Sequence, residues 1–186
     1  MVSLISLWMP IVLSAVLVFL LSWLVHTVLP YHRSDYGQVP TEDAVMDALR
    51  PFNIPPGDYM MPRAGGMADM KSPAFQEKMN KGPVAMFTVM PTGPFAMGAQ
   101  LAQWFVYCVV VSIIAAYVGS RAVVPGASYL EVFRFVGVTA FASYSLALWQ
   151  DSIWYKRKWS TTLKSTVDGL LYGLVTAGTF GWLWPN

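Results

Sequence analysis

The sequence predicts an all-α membrane protein: a bundle of four transmembrane helices with a helical cytoplasmic loop between helices 1 and 2. Composition is the first reason. Of 186 residues, 55% are apolar and 12% charged, whereas soluble globular chains carry roughly a quarter charged residues, and the mean hydropathy is +0.47. Charge placement is the second, because several stretches long enough to cross a bilayer contain no charge at all. The third is the clustering of the acids, prolines and glycines into the segments between them. Residues 1–186 are expected to form a single membrane domain.

The first helix is expected over about residues 4–29 (LISLWMPIVLSAVLVFLLSWLVHTVL), a run of about 39 Å at helical rise. It lacks a basic n-region, a short apolar core and a small-residue cleavage site, so it reads as a retained helix. Pro10 falls in its first two turns, where its effect is local. Residues 30–94 hold most acids and much of the Pro and Gly, and read as an extramembrane loop. Within it Thr41 is placed to cap a short helix running to Arg50, with Glu42 and Asp43 in the first turn. Ser72 before Pro73 marks a second, running to Asn80. The apolar piece Val84 to Met90 is too short to span and is expected to be interfacial or re-entrant.

A charge-free run places the second helix at 95–120, and an apolar run bounded by Pro125-Gly126 and Asp151 places the third at 129–149; the fourth is expected at 163–184. Trp8, Tyr31, Tyr129, Trp149, Trp154, Trp159 and Trp182 fall near the expected ends, where amphipathic aromatics favour the interface. Ten of the twelve Lys and Arg lie in residues 30–94 or in the Lys156-Arg157-Lys158 region with Lys164, against Arg121 and Arg134 on the other side. That asymmetry places the long loop in the cytoplasm and both termini outside, in the periplasm of a bacterial inner membrane.

The net charge of +2 is too small to suggest nucleic acid. The expected partners are membrane lipids and other membrane-protein subunits. Cys108 is the only cysteine, which excludes an intrachain disulfide and a cysteine-based metal cage.

In the fourth helix Gly169, Gly173, Ala177 and Gly181 recur every four residues and form a small-residue face suited to close helix packing. Ionisable residues at membrane depth are Glu131, Arg134 and Asp168. Glu131 and Arg134 are spaced to pair on one face, and Asp168 stands four residues after Lys164, so internal pairing and snorkelling account for all three. His26 is a cofactor candidate as an axial ligand for haem or a pigment, but with no histidine on helices two to four, an interfacial histidine with a backbone or headgroup partner is the preferred reading. Most methionines fall between Met46 and Met97; soft thioethers select Cu(I), yet their irregular spacing favours adaptable apolar contacts. No metal site and no catalytic residue is assigned, since no phosphate loop, nucleophile elbow or paired zinc-ligand motif occurs.

The segments HRSDY (32–36), GDYMMP (57–62), KGPVAMFTVMPTGP (81–94) and DGLLYGLVTAGTFGWLWP (168–185) resemble a family of small bacterial inner-membrane proteins. The resemblance implies a bacterial cytoplasmic membrane and this helical architecture, and no activity. The expected function is a non-catalytic accessory or scaffold subunit of a larger bacterial membrane complex, respiratory or otherwise energy-transducing, with no cofactor. The alternatives are a small oligomeric transporter or channel using Asp168 and Thr166, Thr176 and Thr179, and a haem- or pigment-binding redox subunit using His26.

Overall fold

The computed structural model describes residues 1–94 and 96–186; the expected start of the second helix, Phe95, lies outside them. The described chain is mostly helical and forms two compact units. One comprises Met1–Gly37 with the stretch from Ala96 to Asn186, and the other is the segment between them.

In the first unit, a single 3₁₀ turn leads into α1 (Trp8–Trp23), which continues as a π-helical turn over Leu24–Val28. It is followed, after the second unit, by α5 (Gly98–Ala122), α6 (Tyr129–Ser145), a 3₁₀ turn, α7 (Trp149–Tyr155) and α8 (Trp159–Trp182). Three helical runs, Ile5–Val28, Gly98–Ala122 and Tyr129–Tyr155, are long and apolar enough to cross a membrane. At 24 residues α8 has the length, but Lys164, Asp168, its glycines and its threonines make it less apolar. Those residues serve packing and the site described below.

The long helices run antiparallel to their neighbours. Ser14 of α1 bonds Ser112 of α5 at 3.0 Å, and Trp104 near the start of α5 donates to Ser22 near the end of α1 at 2.8 Å. Leu7 of the 3₁₀ turn and Ile11, Ala15 and Val18 of α1 share one core cluster with Cys108, Val111 and Ala115 of α5, Val132, Val136 and Ala140 of α6 and Phe180 of α8. One end gathers the α5–α6 turn and both chain ends: Trp184 donates to the Val124 carbonyl at 3.0 Å and Gly126 N–H to the Pro185 carbonyl at 2.9 Å.

The α6–α8 contact is the most extensive. The row Gly169, Gly173, Ala177 and Gly181 lies against α6 within this unit: a Cβ on Gly169 would fall 2.6 Å from Ser145 Cβ, one on Gly173 3.1 Å from the Phe141 backbone nitrogen, and one on Gly181 2.8 Å from the Tyr129 ring. From the α6 side, a Cβ on Gly137 would meet Ala177 Cβ at 2.9 Å. Small residues on both helices thus allow backbone-to-backbone approach, the usual basis of helix association in lipid.

The second unit begins with α2 (Glu42–Leu49), and adds β1 (Gly57–Met61), α3 (Met67–Met70), α4 (Pro73–Lys81) and β2 (Ala85–Val89). Ser72 caps α4 by accepting from Phe75 N–H at 3.1 Å. Thr41 does not cap α2: it sits at φ 49° and its hydroxyl donates to the Pro40 carbonyl at 2.7 Å. Val84 to Met90, expected to be interfacial or re-entrant, instead supplies β2, paired antiparallel to β1 with Gly57 opposite Val89 and Met61 opposite Ala85. Tyr59 and Phe87 stack across the pair at 5.7 Å, and Thr88 donates to Asp58. Strand pairing satisfies the backbone that a short apolar segment would otherwise expose.

Gly169→Ala is expected to lower the thermal midpoint in detergent, by overpacking worth about 1–3 kcal/mol. Gly98→Ala, where a Cβ meets nothing within 4 Å, should leave it in place. Exposure of the buried Cys108 thiol to a maleimide dye during heating reads both.

Candidate functional site

The end of the first unit away from its termini is built from the chain reversal after α1 and the first turns of α8. The π turn closes with Leu29 N–H donating to the Leu24 carbonyl at 3.2 Å, and such turns often mark functional positions in helices. Leu29 is extended (φ −80°, ψ 135°), as the residue before a proline tends to be. Pro30 then opens a 3₁₀ turn, Pro30–His32. The reversal lays the His32 ring on the His26 ring, with centroids 4.3 Å apart and planes within 8°.

Lys164 ties this turn to α8. Its ammonium donates to the Tyr31 carbonyl (2.8 Å), Ser34 Oγ (2.8 Å) and Asp35 Oδ1 (2.9 Å), which uses all three of its donors. The Tyr31 hydroxyl returns a bond to the Lys164 carbonyl at 3.1 Å. Asp35 Oδ2 accepts from His32 Nδ1 at 2.7 Å. Burial alone would push the Asp35 carboxyl up; the hydrogen bonds and charges of His32 and Lys164 outweigh it and hold the group below its usual value. Burial raises the Tyr31 hydroxyl.

One turn beyond Lys164 on the same face of α8, Asp168 is 3% exposed. Its Oδ2 lies 3.0 Å from His32 Nε2, but the two are not aligned as a hydrogen bond, and neither His32 Nε2 nor Asp168 Oδ1 has an aligned partner among the described residues. His26 donates from Nδ1 to the Ser22 carbonyl at 3.0 Å. One donor atom each from His26, His32 and Asp168 lies within 4.8 Å of the other two. An apolar-walled cleft of ≈420 Å³, bounded by Val25, Leu29, Pro30, Tyr31, Val167 and Leu171, reaches Asp168. A turn deeper are Tyr172 and Tyr144, ring centroids 5.4 Å apart, with buried hydroxyls that lack aligned partners among the described residues.

Of the residues singled out from the sequence, the structure brings His26 and Asp168 together. Asp168 faces His32 rather than Lys164, whose ammonium is drawn to Asp35. Glu131 and Arg134 are both exposed on α6 and form no ion pair with each other among the described residues; Arg134 borders a shallow cleft of ≈220 Å³ between α6 and α8. They lie toward the opposite end of the α6–α8 pair from Asp168, since Tyr129 packs on Gly181 and Ser145 on Gly169. The stacked histidines turn faces, not nitrogens, to each other, which does not suit a haem iron held between them. Sequence reasoning assigned no role to His32 or Asp35 and took Lys164 as the partner of Asp168, whereas its ammonium bonds Asp35; the HRSDY run holds His32 and Asp35 at a spacing of three, the signal available for them.

No protein-family model, no curated protein and no solved structure matches the chain.

The ion pair yields a double-mutant prediction. Lys164→Met leaves the partly buried Asp35 beside His32 without its cation and should cost about 1–2 kcal/mol, between the values for exposed and buried pairs. The double variant Lys164→Met/Asp35→Asn should cost clearly less than the sum of the two singles, measured by thermal unfolding in detergent.

Proposed function

We propose that the chain is a non-catalytic integral membrane subunit that packs against partner proteins in a larger complex of the bacterial cytoplasmic membrane. In this reading the segment of residues 30–94 is cytoplasmic and α8 is the fourth spanning helix. The observation that carries the proposal is the distribution of buried polar groups. Asp168, at one end, is the one Asp, Glu, Lys, Arg or His among the buried residues described.

Elsewhere the interior hydroxyls bond mostly to their own helices. Thr176 donates to the Tyr172 carbonyl and Thr179 to the Val175 carbonyl, both at 2.8 Å, while Thr166 donates to the Thr162 carbonyl at 2.8 Å. The threonines that a transport path would enlist are thereby occupied, and charge at membrane depth sits at opposite ends. Such an interior offers ions no continuous polar route. What the helices do offer is an apolar perimeter, with Val106, Tyr117, Leu130, Val138, Val167 and Leu174 exposed along their length, suited to lipid and to the helices of neighbours.

Mild detergent extraction through a tag on Asn186 is expected to yield stoichiometric membrane partners and migration well above a single chain on a native gel. A lone monomer from fresh membranes would sink the proposal. In reconstituted vesicles Asp168→Asn should leave proton flux at the wild-type level; a drop would favour the transporter reading instead.

A further inference from the structure

We propose that His26, His32 and Asp168 form a binding site for one divalent first-row transition-metal ion of the Zn²⁺ class. The donor set is the first reason. Two imidazoles and a carboxylate suit Zn²⁺, Co²⁺ or Fe²⁺, whereas Mg²⁺ and Ca²⁺ prefer oxygen alone.

The second reason is the way the two rings are held. A metal-binding histidine usually gives its other ring N–H to a carboxylate or a backbone carbonyl, and each ring does one of these. His32 Nδ1 donates to Asp35 Oδ2 at 2.7 Å and His26 Nδ1 to the Ser22 carbonyl at 3.0 Å. Carbonyl and carboxylate oxygens only accept, so both hydrogens sit on Nδ1 and the free position of each ring is Nε2. Lys164 in turn fixes Asp35 at 2.9 Å, giving His32 a held carboxylate behind it.

Third, the groups facing the site lack other partners. Asp168 is 3% exposed and its Oδ1 is unpartnered among the described residues, as is His32 Nε2. A buried carboxylate oxygen without a donor is costly, and a cation supplies what it lacks. Donors on one ion at about 2.0–2.2 Å stand roughly 3–3.5 Å apart. His32 Nε2 and Asp168 Oδ2 already stand at 3.0 Å, and one nitrogen of each ring and a carboxylate oxygen of Asp168 lie within 4.8 Å of one another, so rotation of the exposed His26 ring to aim Nε2 at the carboxylate completes the set. The cleft between Leu29 and Leu171 reaches Asp168 and supplies an approach for the ion and for a further ligand, a water or an exogenous group.

Ion binding does not depend on whether the chain has protein partners, so its test is separate. Full-length protein in detergent, stripped with a chelator and dialysed, is titrated with Zn²⁺ by calorimetry and with Co²⁺ by visible absorption. One equivalent per chain is expected, with Co²⁺ bands of the intensity that four- or five-coordination gives and no competition from millimolar Mg²⁺. His32→Ala and Asp168→Asn should each weaken binding by at least about tenfold. His26→Ala removes a bond to its own helix and the stack on the His32 ring but no buried core side chain; it should weaken Zn²⁺ and change the Co²⁺ spectrum, with Cys108 still protected from a thiol dye. Equal affinity in wild type and in folded His26→Ala, no saturable binding, or displacement by Mg²⁺ would each overturn the proposal.

Discussion

Everything at the polar end of the first unit depends on how closely α6 and α8 approach. Lipid gives helices no hydrophobic reason to associate, so contact must come from packing. Gly137, Gly169 and Gly173 remove the side chains that would hold the two backbones apart. With α8 pressed onto α6 along this row, Asp168, directly before Gly169, is turned inward and buried. A bulkier ladder would move the carboxylate as well as the helix.

Against that fixed face, the turn after α1 is located by a single ammonium. Lys164 satisfies a carbonyl, a hydroxyl and a carboxylate from residues 31 to 35. Lys164 and Asp35 are both partly buried, and with all three ammonium donors used the attachment is geometrically specific. Taken as ionised, Asp35 and Lys164 cancel, which leaves the Asp168 carboxylate balanced only by whatever positive charge the histidines or a bound cation provide. Position and charge at this end are therefore set by the same few contacts.

The helical stretches were legible because long, predominantly apolar runs with aromatic ends are strong signals, and the observed limits fall within a few residues of the expected ones for the first, second and fourth helices. The third runs on through Trp149–Tyr155, because Asp151 lies near the end of the apolar span and is only partly buried. The hairpin was not legible: VAMFTVM reads as an apolar run, and its partner GDYMM lies across two short helices. Asp168 stood out by its depth and His26 as a helix-borne imidazole, but that they meet, and that His32 and Asp35 join them, was not legible. Asp35 and Lys164 are 129 residues apart, and the π turn that brings His26 over His32 leaves no mark in the periodicity. The small-residue row on α8 was visible, while the helix it faces could not be read from α8 alone.

Joining residues 26–35 to residues 164–168 also sets an order of assembly. Ribosomes add roughly 5–20 residues per second, so the turn after α1 exists for on the order of ten seconds before Lys164 is made. Throughout that interval Asp35 has His32 as a partner but lacks the Lys164 ammonium. α8, made after the other helices described, is thus the one that closes the turn after α1.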